Sequence, residues 1–153
     1  MGNIFNPDFQ EFLNALNKYE VKYVLVGGYS VIYYGYPRNT GDLDLFVEVS
    51  KSNYLRLVKA FELFQMPVFD MTEDSFLYQK EINVYSYGRP PVCIEILKEI
   101  SGFSFQEIYS NALNTIFEGI PIKIIHINDL KRNKKISARA KDLNDLENLS
   151  KLE

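Results

Sequence analysis

Asp42 and Asp44 stand one residue apart in the segment Arg38-Asn39-Thr40-Gly41-Asp42-Leu43-Asp44-Leu45, a short distance after the run Gly27-Gly28-Tyr29-Ser30. Side chains alternate along a strand, so on a strand both carboxylates project from one face, roughly 6.5–7 Å apart at their Cα atoms. Two carboxylates that close repel each other unless a cation sits between them, and Mg²⁺ is the usual one. A Gly-Gly-x-Ser turn between a strand and a helix offers backbone N–H groups and a hydroxyl to an anion. A phosphate-holding turn beside a divalent-metal site is equipment for moving a nucleotide. Each half has a plainer counterpart: acids on a strand edge can simply be solvated, and Gly-Gly can simply let a chain turn. The glycine run is neither a Walker loop nor a dinucleotide fingerprint, because the required Gly and Lys positions are missing.

A third acid adds weight to the pair. Glu95 interrupts Val92-Cys93-Ile94-Glu95-Ile96-Leu97, a run otherwise apolar, and a charge in a central strand is costly without a partner. If this strand lies beside the Asp42/Asp44 strand, three carboxylates converge. Otherwise Glu95 meets a lysine or faces solvent. Between positions 131 and 141 lie Lys131, Arg132, Lys134, Lys135, Arg139 and Lys141 with no acid among them. Such an island suits a polyphosphate or an RNA backbone; it also suits a solvated helix face, above all at Lys131, Arg132 and Lys135.

Composition narrows the chemistry. The chain of 153 residues carries a formal charge of −3, is 46% hydrophobic and 24% charged, and has one cysteine, Cys93, and one histidine, His126. One domain with a sizeable core is expected. A disulfide framework and a cysteine zinc cluster are excluded. Any metal must be held mainly by oxygen, which favours Mg²⁺ or Mn²⁺. A Ser-His-Asp or Cys-His engine would need His126, which no nucleophile elbow accompanies; a structural role is expected for it. No apolar stretch approaches membrane-spanning length, no signal-peptide pattern opens the chain, and Asn6 departs from a myristoylation signal. A cytoplasmic protein with no membrane association is expected.

The elements that must position these residues read as mixed α/β, a sheet flanked by helices. Asn6-Pro7-Asp8 starts a helix with Phe9, Phe12, Leu13 and Leu16 at helical spacing. Tyr23 to Val26 is a buried strand. Ser30 to Tyr34 opens a second helix, stopped by Gly35 and Pro37. Asp42 to Val49 is a strand with Leu43, Leu45, Val47 and Val49 facing the core. Ser52 to Phe64 is a helix with Leu55, Val58, Leu63 and neighbours inward, and Met66 to Tyr78 reads as a strand plus a variable loop. Ile82 to Tyr87 and Val92 to Leu97 are strands around a Gly88-Arg89-Pro90-Pro91 turn. Phe105 to Asn111 is a short helix, and Thr115 to Phe117 with Ile120 to Ile125 form a hairpin about Glu118-Gly119. Asp129 starts another helix, and Lys141 to Leu152 carries a stripe of Leu143, Leu146, Leu149 and Leu152. Tyr33, Tyr34 and Tyr36 either stack on a base or pack internally.

Gly-Gly-x-Ser, Arg-x-Thr-x-Asp-Leu-Asp-Leu and Ile-Glu-Ile-Leu, in this order, resemble the nucleotidyltransferase superfamily of the DNA polymerase β type. The later stretch Asn133-Lys134-Lys135-Ile136-Ser137-Ala138-Arg139-Ala140-Lys141-Asp142-Leu143-Asn144-Asp145-Leu146 is similar to the small bacterial members related to abortive-infection type IV toxin nucleotidyltransferases. The likeness spans about residues 20–150. It implies the nucleotidyltransferase fold in a single domain, and a Mg²⁺- or Mn²⁺-dependent transfer of a nucleoside monophosphate from a nucleoside triphosphate such as ATP. It further implies that Asp42, Asp44 and Glu95 are catalytic metal ligands, Glu95 also deprotonating the acceptor hydroxyl. Gly27, Gly28 and Ser30 would bind phosphate, Arg38 and Thr40 would position the nucleotide or buttress the loop, and Lys134 and Lys141 would neutralise the leaving pyrophosphate. Asp142 and Asp145 would orient these lysines, or Asp142 would bridge to Arg139. Two positions depart from the pattern: relatives commonly show Asp at Glu95 and Gly at Ala138. The expected acceptor is a tRNA end, a protein hydroxyl or a small molecule, held in an open cleft, by a second copy of the chain or by a small helical partner. The competing expectations are a non-catalytic nucleotide- or partner-binding module of the same fold, and a toxin–antitoxin component whose biology is set by pairing.

Overall fold

The computed structural model describes residues 6–36, 40–89 and 92–151. In chain order these form α1 (Pro7–Lys18), β1 (Tyr23–Val26), α2 (Gly27–Tyr33), β2 (Asp42–Val47), α3 (Lys51–Phe64), α4 (Glu73–Tyr78), β3 (Val84–Arg89), β4 (Val92–Leu97), α5 (Phe105–Asn111), β5 (Leu113–Phe117), β6 (Ile120–Ile124), α6 (Ile127–Ser137) and α7 (Ala140–Lys151). The fold is mixed α/β, built on one six-stranded sheet of order β3-β4-β2-β1-β6-β5. β2 runs parallel to β4 and antiparallel to β1, while β1 is parallel to β6. The remaining two strands close the edges as antiparallel neighbours, β3 on β4 and β5 on β6. No helix among the described residues is long and apolar enough to cross a membrane.

Local chemistry accounts for most boundaries. Asn6 caps α1 by accepting from Phe9 N–H at 2.9 Å, with Pro7 in the first turn where its missing N–H costs nothing. Ser104 and Glu107 close a reciprocal capping box on α5. Glu118 and Gly119 both have positive φ, 54° and 79°, as a two-residue hairpin between β5 and β6 requires. His126 caps α6, its ring Nδ1 accepting from Asn128 N–H at 3.1 Å, which gives the lone histidine the structural role expected of it.

Register decides which residues share a face. Leu43 and Leu45 of β2 pair with Ile94 and Ile96 of β4, which pair in turn with Tyr87 and Tyr85 of β3. This face is dry: Phe12 of α1 packs edge-on against Phe61 of α3, and Phe61 against Tyr87. The opposite face carries Asp42, Asp44 and Phe46. Phe46 lies under Phe105 of α5, with ring centroids 5.2 Å apart, so that end of the strand is covered while the acid end is half-buried.

Four expectations are corrected. β2 ends at Val47 and Val49 is exposed, because Asn53 takes over the chain there: buried on α3, it bonds Lys22 N–H, Lys22 C=O and Glu48 C=O. On α3 the inward face is Tyr54, Leu57, Ala60 and Phe61, and Leu55 and Leu63 are exposed; apolar residues nearly all round this helix left its phase ambiguous. The segment from Met66 to Tyr78 holds no strand among the described residues. It ends in α4, capped by Thr72, with Glu73 and Asp74 at the positive end and Lys98 donating to the Ser75 and Gln79 carbonyls at 3.0 Å each. Finally, α7 does not pack by leucines alone: Leu143 is 49% exposed, and the buried stripe is Asp142, Asp145 and Leu149, while Leu152 lies outside the described residues.

Candidate active site

The register brings the three acids together. Asp44 is the partner of Glu95 across the parallel β2–β4 pair, and Ser86 of β3 is the next residue in the same row. Asp42 lies one step along, opposite the buried Cys93. One carboxylate oxygen from each of Asp42, Asp44 and Glu95 falls within 4.8 Å of the others. Ser86 donates to Glu95 Oε1 at 3.5 Å, on the edge of the sheet that is open to solvent.

Asp44 is the strained member. Its Oδ1 is buried without a hydrogen-bond partner among the described residues. Burial, then the neighbouring Glu95 and Asp42 carboxylates, push its pKa up to about 7, with Lys141 pulling the other way. Beneath it sits Gly27, whose φ of +71° favours glycine; a Cβ there would collide with the Asp44 carboxylate. An orphaned buried oxygen and an all-oxygen donor set fit a hard divalent cation, whose octahedral shell spans about 4.2 Å. Among the described residues, Asp42, Asp44 and Glu95 are the ones that could hold it.

The Asp44 pKa has a consequence for stability. An unfolded Asp titrates near ~4, so between that value and about 7 the folded chain holds a proton that the unfolded chain releases. This contribution is complete below pH ~4 and is lost as pH rises through 7. In EDTA, the thermal midpoint is therefore expected to fall between pH 5 and 8, less steeply in Asp44→Asn. Parallel slopes for the two proteins in scanning calorimetry would exclude the assignment.

The other expected site residues divide. Gly27 lines the cleft beside Asp44. Gly28 and Ser30 are buried in α2, which begins at Gly27 rather than at Ser30, and the Ser30 hydroxyl donates to the Gly27 carbonyl at 2.6 Å. It braces the glycine turn, and contact with a phosphate would require that bond to be exchanged. Thr40 is half-buried just before β2, and Arg38 lies outside the described residues. Lys141 is exposed, close enough for its charge to act on Asp44. Tyr34 donates to the Ile125 carbonyl, Tyr33 bonds Thr115, and Tyr36 accepts from Asn144, so these rings are engaged in packing and bracing. Within the basic island, Arg132 lies over the Phe103 ring at 4.7 Å.

Lys134 differs most from a surface cation. It is 5% exposed, with Nζ 3.2 Å from Asp142 Oδ1 and 3.0 Å from Asp145 Oδ2. Asp142 also accepts from Ser137 at 2.9 Å and from Arg139 Nε at 2.6 Å, so the expected Asp142–Arg139 bridge is present. Burial alone would raise the Asp142 pKa; the bonds from Arg139 and Ser137 and the Lys134 charge hold it down at about 2. The resemblance implies a Lys134 that neutralises pyrophosphate and is oriented by Asp142 and Asp145; both acids do hold its ammonium, at a depth that leaves almost no surface for a ligand.

Ala138 joins the two helices in the left-handed region, φ 51°. That conformation costs a non-glycine residue about 1 kcal/mol. Ala138→Gly is expected to raise the thermal midpoint by roughly 1–3 °C once glycine's greater unfolded-state entropy is set against the strain; a lowered midpoint would show that the strain is absent.

A cleft of about 470 Å³ runs from Gly27 and Asp44 past Leu97 to Ser101, Asn133 and Arg139, a volume typical of small-molecule sites. Comparison of the sequence with protein-family models finds no match, and no curated protein matches it.

Proposed function

We propose that the chain is a nucleotidyltransferase of the DNA polymerase β type, passing a nucleoside monophosphate from a nucleoside triphosphate to a hydroxyl acceptor. The observation that carries this reading is the Asp44–Glu95 register, which gathers three carboxylates around a buried oxygen that has no partner among the described residues, beside Gly27. The motif resemblance supplies the reaction class. Asp42, Asp44 and Glu95 would hold Mg²⁺ or Mn²⁺, which when bound supplies positive charge against the triphosphate.

The chain's own residues do the rest. Gly27, which lines the cleft at the head of α2, would offer its amide to a phosphate oxygen, with Gly28 buried behind it, and Lys141 adds a cation near Asp44. Glu95 accepts the proton of the acceptor hydroxyl, whose oxygen bonds to the α-phosphorus as the bond to the β-phosphate oxygen breaks and pyrophosphate leaves. Glu95 suits this role because its neighbour Ser86 is exposed on an open sheet edge, where an acceptor can approach. A tRNA end, a protein hydroxyl or a small molecule satisfies that geometry. A cytoplasmic setting, and a link to toxin–antitoxin pairing with a small helical partner or a second copy, belong to the same reading.

The test is incubation of the purified protein with each radiolabelled nucleoside triphosphate, Mg²⁺ and a cell extract. Label from one triphosphate is expected on a defined acceptor, and none when Asp42→Asn replaces the wild type. No label from any of the four would leave a nucleotide- or partner-binding module of the same architecture.

A further inference from the structure

We propose that Arg139 is the guanidinium that contacts the polyphosphate of the substrate, with Lys134, Asp142 and Asp145 as positioning residues that hold it in the cleft; this rests on the nucleotidyl-transfer reading. The charge inventory leads there. Lys134, Asp142 and Asp145 are 5%, 0% and 1% exposed, one cation against two anions. Lys134 spends its ammonium on both acids and has almost no surface from which to meet a ligand. Arg139 provides the second cation, and its side chain is 65% exposed.

The guanidinium is held from one side only. Nε donates to Asp142 Oδ2 at 2.6 Å and Nη2 to Asp142 Oδ1 at 3.3 Å, while the Arg139 backbone N–H also donates to Oδ2 at 3.3 Å. One buried carboxylate thus fixes both the backbone and the side chain of this residue. Of the five guanidinium N–H groups, two are used; the other three have no partner among the described residues. They belong to a side chain that lines the same cleft as Gly27 and Asp44, and the Asp44 charge acts on it. The left-handed turn at Ala138 delivers Arg139 to that position between α6 and α7.

A planar fork oriented by a carboxylate matches two phosphate oxygens at once, and little rotamer freedom remains to be lost on binding. An arginine serving only to pair with Asp142 would leave anion affinity untouched when replaced, because its guanidinium would then make no contact with the ligand.

The experiment is calorimetric titration of the protein with the Mg²⁺ salt of inorganic tripolyphosphate, at a temperature where circular dichroism shows each variant folded. Arg139→Gln is expected to weaken binding about tenfold or more. Arg139→Lys, whose single ammonium is claimed by Asp142, should fall between Gln and wild type. Lys123→Gln, whose ammonium lies over the Tyr109 ring at 3.8 Å, should bind as wild type does. Wild-type affinity in Arg139→Gln, or no binding by the wild type, overturns the proposal. Tripolyphosphate carries no nucleoside to transfer, so an Arg139-dependent loss stands even where no nucleotide transfer is found. Transfer with unchanged tripolyphosphate affinity removes Arg139 and leaves the transfer reading intact.

Discussion

Asp44→Asn is expected to abolish nucleotide transfer, by at least about 10³-fold, and at the same time to make the metal-free protein more stable. The two effects share a cause. Asp44 is half-buried, with its Oδ1 buried and unpartnered among the described residues, against Glu95 and Asp42 and directly over Gly27. A carboxylate in that position repels its neighbours when no cation is bound. Asparagine keeps the shape that Gly27 accommodates, removes the charge and brings an amide donor toward Glu95. With each kcal/mol worth roughly 2–4 °C in a chain of this size, a midpoint rise of about 3 °C or more in EDTA is expected near pH 8. A variant that melts at or below the wild type there would show that the carboxylate is not strained. Undiminished transfer would remove it from the chemistry.

Lys134→Met is expected to have the largest effect on folding. The substitution keeps the length of the side chain but removes the ammonium that both buried acids, Asp142 and Asp145, contact. Removing one partner from such a cluster costs about 3–5 kcal/mol, which corresponds to a midpoint lower by roughly 10 °C. The loss should concentrate where α6 meets α7, so amide exchange in Ala140–Lys151 should accelerate before the sheet is affected. Adding Asp145→Leu should recover part of the loss, since one of the two buried negative charges is then gone. A Lys134→Met midpoint within 2 °C (~0.5–1 kcal/mol) of the wild type would mean that the cluster does not depend on this cation.

The sheet was legible because its strands announce themselves by alternation. Leu43 and Leu45 against Asp42 and Asp44 need opposite environments, and the pleat provides them. Glu95 was legible for a related reason: a charge inside an apolar run marks the polar face of its strand, and the parallel register sets it beside Asp44, where a cation is needed between the two carboxylates. The helices were harder. On α7 the leucines suggested the packed face, yet Asp142 and Asp145 are buried because Lys134, eight residues before Asp142 and on another helix, meets them both. An apolar period cannot report a buried ion pair between elements. The spacing of Asp142, Asp145 and Leu149 was the available signal.

Other features lay outside what apolar patterning reports. Thr72-Glu73-Asp74 is a helix start, although α4 is too short to show a period. Asn53 carries no pattern at all; its burial follows from the backbone groups of Lys22 and Glu48 that it satisfies. Arg139 was read as half of a structural bridge, and only the depth of Lys134 shows which of the basic residues is left to face the cleft.

The proposed function depends on Asp42, Asp44 and Glu95 sharing a divalent cation. Titration of the protein with Mn²⁺, followed by the loss of the free-ion paramagnetic resonance signal, measures this without any assumption about nucleotide or acceptor. Bound Mn²⁺ that Mg²⁺ displaces, with affinity at least about tenfold weaker in Asp44→Asn, is the expected result. Mn²⁺ binding equally tight in a variant lacking all three carboxylates, or no binding by the wild type at millimolar Mn²⁺, would contradict it.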